Sequence, residues 1–342
     1  SGHLMTQRAA GRLEDRLAAL LAEPLERLHP LWDATIIDGL PGPRWALAVR
    51  AHPGLVDGGD HVHLLHGLLD EQPTLIEGDA PRWEPAVDEP RGFGSLLRSV
   101  TDPLQSLREA AAGLGGLAEQ GLRQVSTETT PRHVAAVEFD LADLERAAHA
   151  HGVRVHDIVV AMVTAAVRGA QLDAGTDLHD PVALVPLAVD DDGASAMGCL
   201  VAPQFVSLPV TATTAAERLA AIATLTQARV DSERLVEARE LVEVAGFAPP
   251  TMHAVATGLV TTGRPHEVLL VNVPGPASAR WLGEQRVRAL HAFESTVDDQ
   301  VISVGVTSLD GRVSFAATAT TPLPSFARNA ADELGVLNRA GK

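Results

Sequence analysis

The sequence predicts an α/β fold with mixed sheets, of the α+β kind. Two observations predict it. Strand-length apolar runs come in pairs joined by short turns, and apolar residues at helical spacing fill the stretches between them. A third observation sets the scale: 46% of the 342 residues are hydrophobic, enough for two domains with a sizeable core. Ser126 to Arg132 is polar and carries Pro131, so the domain boundary is placed there, giving residues 1–130 and 131–342.

The elements follow in order. Ser1 to Leu4 reads as a leftover tag, with a natural start at Met5. Arg12 to Leu28 reads as a helix, because Leu13, Leu17, Leu20, Leu21, Leu25 and Leu28 form one stripe before His29-Pro30 stops it. Trp32 to Leu40 and Trp45 to Ala51 read as a hairpin around Pro41-Gly42-Pro43. A helix runs from Val62 to about Asp70, an exposed connection from Glu71 to Arg98, and a helix weakened by four glycines from Leu104 to Val125. The second half opens with a strand at Val134 to Phe139. Helices follow at Leu141 to His151, with Asp140 as N-cap, and at Val155 to Leu172. Strands are expected at Val182 to Val189, Val201 to Pro209, Val268 to Val273, Gln285 to Ala292, Val301 to Ser308 and Arg312 to Thr318. Leu309-Asp310-Gly311 turns between the last two. Helices at Thr214 to Val230 and Phe326 to Leu337 complete the set.

Composition excludes several partners. A net charge of −17 argues against a nucleic-acid surface and against electrostatic docking to anionic lipid. No apolar run reaches the roughly 18 residues of a membrane span. The single cysteine, Cys199, forbids an intrachain disulfide and fits a reducing cytoplasm.

The chemistry-bearing stretch is His52-Pro53-Gly54-Leu55-Val56-Asp57-Gly58, between a strand and a helix. It resembles the His-His-x-x-x-Asp-Gly signature of condensing acyltransferases, with Pro53 where the second His stands. Further landmarks keep the order of one family. They are Pro30-Leu31-Trp32-Asp33, Ile37-Asp38-Gly39-Leu40, Val155-His156-Asp157-Ile158-Val159, Gly198 to Pro209, and Val271-Asn272-Val273-Pro274-Gly275-Pro276. Together they resemble the bacterial wax ester synthase/diacylglycerol acyltransferase family, of the chloramphenicol acetyltransferase-like and condensation-domain superfamily. The resemblance implies two such domains with a cleft or tunnel between them, the first domain truncated. It implies acyl thioester and acceptor alcohol meeting in that tunnel, with the second His as base and the motif Asp mainly structural. The chain departs from the pattern at Pro53, at His156 in an Asn-Asp motif, at Cys199 in a Gly-Asn motif, and in the early strands before Met5.

Three residues are candidates for catalysis. His156 lies at a helix N-terminus, whose dipole would keep an imidazole neutral, as a base requires; a tolerant N-cap substitution is the competing reading. Asp57 is either a replacement base or a helix cap. His52 borders the missing base, but strand alternation points it away from position 53 and suits it to packing. Pro53 has no ionisable group and no N–H, so it can shape a substrate site and move no proton. Gly58, Asp157, Cys199 and Asn272 are candidates for contact with substrate; Cys199 sits among apolar residues that favour an inert thiol, and Asn272 can offer a hydrogen bond to a carbonyl. His61, His63 and His66 lack a further ligand at a known spacing, so no metal and no cofactor is expected.

The leading expectation is a divergent acyltransferase or condensation-like enzyme for an acyl thioester, on coenzyme A or an acyl carrier protein, or for a lipid-like or polyketide substrate. It includes repurposing for cyclisation or elimination. The alternatives are a non-catalytic acyl-binding or partner protein, and an ordinary wax ester/diacylglycerol acyltransferase. A homo-oligomer or heteromer is expected, to cover the edge that the early strands would otherwise pair.

Overall fold

The computed structural model describes residues 4–8, 12–25, 31–52, 67–75, 131–189, 200–230, 266–294 and 302–340. Three strands form the first sheet: β1 (Leu4–Arg8), β2 (Trp32–Leu40) and β3 (Arg44–Ala51), in the order β1-β2-β3. β2 and β3 are the predicted hairpin. β1 was not predicted: Leu4, read as part of a tag, pairs with Ala34 in a parallel ladder. A five-residue strand of mixed polarity carries too little periodicity to be seen without its partner. Helix α1 (Leu13–Ala22) is shorter than the leucine stripe suggested. Pro24 follows its C-cap, Glu23, and proline disfavours helical backbone in the residue before it. The predicted helices over Val62 to Asp70 and Leu104 to Val125 fall largely or wholly outside the described residues.

Arg50 ties this region together. Its Nε donates to Asp33 Oδ1 at 3.0 Å and its Nη1 to the Glu23 carbonyl at 2.7 Å and to that of Leu20. One guanidinium thus joins β2, β3 and the carbonyl-rich end of α1, where a helix favours a cation.

The second sheet has six strands in the order β4-β11-β10-β7-β5-β6. They are β4 (His133–Asp140), β5 (Val182–Val189), β6 (Leu200–Ser207), β7 (Val268–Asn272), β10 (Ile302–Leu309) and β11 (Arg312–Ala319). β7 runs parallel to β5 and β10, and the other pairings are antiparallel, so the sheet is mixed. Asp310 and Gly311 both have positive φ, 51° and 75°, which is the two-residue hairpin turn that an Asp-Gly pair favours. Two short strands, β8 (Trp281–Leu282) and β9 (Gln285–Arg286), make a separate ribbon. Asp70 exchanges both backbone hydrogen bonds with Trp281, at 2.8 and 2.9 Å, so the ribbon clasps a segment from the first half of the chain.

Four helices belong to this half: α2 (Leu141–His151), α3 (Val155–Asp173), α4 (Ala215–Val230) and α5 (Phe326–Ala340). Alternation assigns Val268 and Leu270 of β7, Ile302, Val304 and Val306 of β10, and Val313, Phe315 and Ala317 of β11 to one face, and these form one core with the helices. α3 is the central helix. It is apolar on nearly all sides and buried from Asp157 to Val167, as expected when an element is enclosed all round. By length and composition it would also suit a membrane, contrary to the sequence expectation, but most of it is buried inside the fold.

Two further expectations are corrected. Gln285 to Ala292 is strand only at β9, and residues 287–294 are irregular. This stretch lies across the sheet rather than in it: a Cβ at Gly305 would sit 2.1 Å from the Ala292 carbonyl oxygen. Asp140 stands at the N-cap position of α2 but makes no capping bond. Its carboxylate accepts from Arg312 Nη1 at 2.6 Å, because β11 places that guanidinium directly opposite.

Candidate functional site

β7 and α3 bring two of the predicted residues together. Asn272 is the last residue of β7 and lies on the face that carries Val268 and Leu270 toward the helices. His156 is the second residue of α3. Asn272 Nδ2 lies 3.3 Å from His156 Nδ1, joining residues 116 positions apart. Burial holds the His156 imidazole below its ordinary pKa; Asp157 pulls it upward and Arg154 pushes it down. The shift runs in the direction expected, but desolvation, not the helix dipole, is its first cause.

Asp157 is buried and does structural work. It accepts the Arg154 backbone N–H at 3.0 Å, which caps α3. It also accepts from Thr226 Oγ1 of α4 at 2.8 Å and from the Arg154 guanidinium at 3.3 Å. Its carboxylate locks the start of α3, and so the position of His156.

The loop after Asn272 explains the Val-Pro-Gly-Pro sequence. Val273 N–H continues the ladder to the Val306 carbonyl at 2.9 Å. Gly275 N–H then donates to Ser308 Oγ at 3.0 Å. A Cβ at Gly275 would lie 1.8 Å from the Ser308 carbonyl oxygen, so only glycine permits this approach. Pro276 accepts from Asp310 N–H at 3.0 Å, which fastens the loop to the β10–β11 turn.

His52 is elsewhere. It follows β3, is exposed, and donates its backbone N–H to Leu31 O at 2.9 Å. Pro53, Asp57, Gly58, Cys199 and the three histidines His61, His63 and His66 lie outside the described residues. Among the described residues no group of three His, Cys, Asp or Glu side chains could hold a metal ion.

A polar cluster that sequence reading missed lies on the other face of the same sheet. Ser314 of β11 is buried and pairs in register with Glu138 of β4. His291 hydrogen-bonds Ser314 Oγ through Nδ1 and places Nε2 3.7 Å from Glu138 Oε1. Burial lowers the His291 pKa, against a pull upward from Glu138. Only the register could have shown this, because residues 138, 291 and 314 share no local pattern.

The fold defines the class. The solved wax ester synthase/diacylglycerol acyltransferase from Marinobacter aquaeolei VT8 matches 99% of this chain and 80% of its own, with a TM-score of 0.67 at 22% identity. The protein therefore has the two-domain, chloramphenicol acetyltransferase-like acyltransferase fold expected from the motifs. Residues 6–159 match the profile of the wax ester synthase/diacylglycerol acyltransferase catalytic domain, and residues 198–333 match that of the family's C-terminal domain. The chain belongs to the wax ester synthase/diacylglycerol acyltransferase family. Two relatives from Mycobacterium tuberculosis (strain ATCC 25618 / H37Rv) that carry diacylglycerol O-acyltransferase names are each 26% identical to it. They align over 333 residues (88% of this chain, 66% of the relative) and 336 residues (90% and 73%). The chain spans 66% of the length of the first curated relatives it matches.

Proposed function

We propose that this protein transfers an acyl group from a thioester, carried by coenzyme A or a carrier protein, to a lipid-like acceptor, with His156 and Asn272 in the reacting site and no cofactor. The observation that carries the proposal is the His156–Asn272 contact, at 3.3 Å and partly buried, in a chain whose motif has Pro53 at the resembling family's base position. Pro53 cannot move a proton, so a site that works through His156 differs from the resembling family's at its centre. A lone cysteine suits the proposed setting, a reducing cytoplasm.

The test is acyl transfer by the purified protein from palmitoyl-coenzyme A to hexadecanol or to 1,2-dipalmitoylglycerol, with ester formation and free thiol measured together. Thioester-dependent ester formation that falls about 100-fold in His156→Leu supports the proposal. Turnover that ignores both His156→Leu and Asn272→Ala refutes this site. The second reading, ordinary wax ester or triacylglycerol synthesis, is favoured by the diacylglycerol O-acyltransferase names of the relatives. Under it, transfer to dipalmitoylglycerol is efficient, and Asp57→Asn lowers it more than His156→Leu does. Thioester binding without turnover on any acceptor favours a binding protein instead.

A further inference from the structure

His156 meets Asn272 through Nδ1, and the atom opposite is the amide nitrogen Nδ2, 3.3 Å away. An amide N–H₂ donates and does not accept, so Nδ1 accepts. A neutral imidazole whose Nδ1 accepts carries its proton on Nε2. Burial lowers the His156 pKa against an upward pull from Asp157, and this lowering favours the neutral ring. Among the described residues, Nε2 meets no hydrogen-bonding partner.

We infer that His156 serves acyl transfer as a hydrogen-bond donor, through Nε2–H to the oxyanion that develops on the thioester carbonyl, and that Asn272 is the positioning residue that sets this tautomer. The inference rests on the acyl-transfer reading above. A base at His156 would need a bare nitrogen facing the alcohol, and the Asn272 amide takes up the only lone pair the neutral ring has in its plane. In the transfer, the ester C–O bond forms and the thioester C–S bond breaks. The alcohol proton ends on the departing sulfur, directly or through water. His156 neither gains nor loses a proton in that balance. It contributes by charge stabilisation, for which removing one donor typically costs about 10²–10³ in kcat.

The first test needs no activity. The full chain is labelled with ¹⁵N-histidine, and long-range ¹H–¹⁵N correlation reads the tautomer; the His156 signals are those lost in His156→Gln. Protonated Nε2 and bare Nδ1 from pH 7 to 9 are expected. Asn272→Asp offers a carboxylate that only accepts, and should move the proton to Nδ1. A proton on Nδ1 in the unaltered protein overturns the inference. The second test uses palmitoyl-coenzyme A and hexadecanol. His156→Leu should lower kcat about 100-fold with KM nearly unchanged, and His156→Asn, an amide donor that takes no proton, should recover at least about tenfold over the leucine variant. An asparagine variant no better than leucine, together with a kcat that falls as His156 is protonated, identifies a base and overturns the inference. No thioester turnover by the unaltered protein sinks the acyl-transfer reading and the donor role with it. The tautomer, read separately, then reports only what Asn272 does to the ring. Circular dichroism confirms that each variant is folded.

Discussion

Replacing Asp157 by alanine removes the group that fastens the start of α3, and the structure sets the cost. The lost cap is the 3.0 Å bond from the Arg154 backbone N–H, worth about 1 kcal/mol. The lost bond from Thr226 Oγ1, at 2.8 Å, goes to a buried carboxylate and would be worth more than a neutral one. Thr226 has a fallback, because its hydroxyl also lies 3.0 Å from the Ile222 carbonyl, so about 1 kcal/mol is expected here too. The Arg154 side chain is 51% exposed, and solvent screening keeps its share below about 0.5 kcal/mol. Asp157→Ala should therefore destabilise by about 2–2.5 kcal/mol in urea unfolding. A double-mutant cycle with Thr226→Val should return about 1 kcal/mol of coupling. The same substitution should lower the His156 pKa further, since the Asp157 charge now pulls it upward. Destabilisation under about 0.5 kcal/mol, or a His156 pKa that rises, would refute the reasoning.

Three other predictions concern the frame around the site. Gly275→Ala drives a methyl group into the Ser308 carbonyl, so a loss of about 1–3 kcal/mol in urea unfolding is expected, with a shift in the His156 ring resonances as Asn272 moves. The buried Arg218–Glu333 pair joins α4 to α5 with side chains 8% and 4% exposed; Arg218→Met alone should cost about 3–5 kcal/mol, and adding Glu333→Leu should restore most of it. Burial lowers the His291 pKa below 6.5, so between that lowered value and 6.5 the unfolded chain binds the proton more readily; its contribution to stability is complete above about pH 6.5 and is lost as pH falls, and His291→Gln should flatten this limb in urea titrations at pH 5–8.

Local chemistry determined much of this protein without any tertiary information. The Pro41-Gly42-Pro43 turn located the β2–β3 hairpin, a long apolar run located α3, and an Asp-Gly pair located the β10–β11 turn, because each depends on neighbours in the chain. The ordered motifs pointed to the family that the profiles match. The same reading selected His156, Asp157 and Asn272, but could not say that Asn272 Nδ2 would meet His156 Nδ1, because that contact depends on β7 ending beside the first turn of α3. Strand β1 has meaning only beside β2, and Asp140 left its cap for Arg312 because β11 pairs with β4. Gln285 to Ala292 read as strand, yet a strand needs a free edge to pair with, and beyond β9 this stretch crosses the face of a sheet instead. The Ser314–His291–Glu138 cluster was illegible for the same reason: register across two strands and a crossing segment creates it. What depends on sequence neighbours was written in the chain. What depends on partners 100 or more residues away, such as His156 with Asn272 or Arg218 with Glu333, was decided only when the sheet and helices packed.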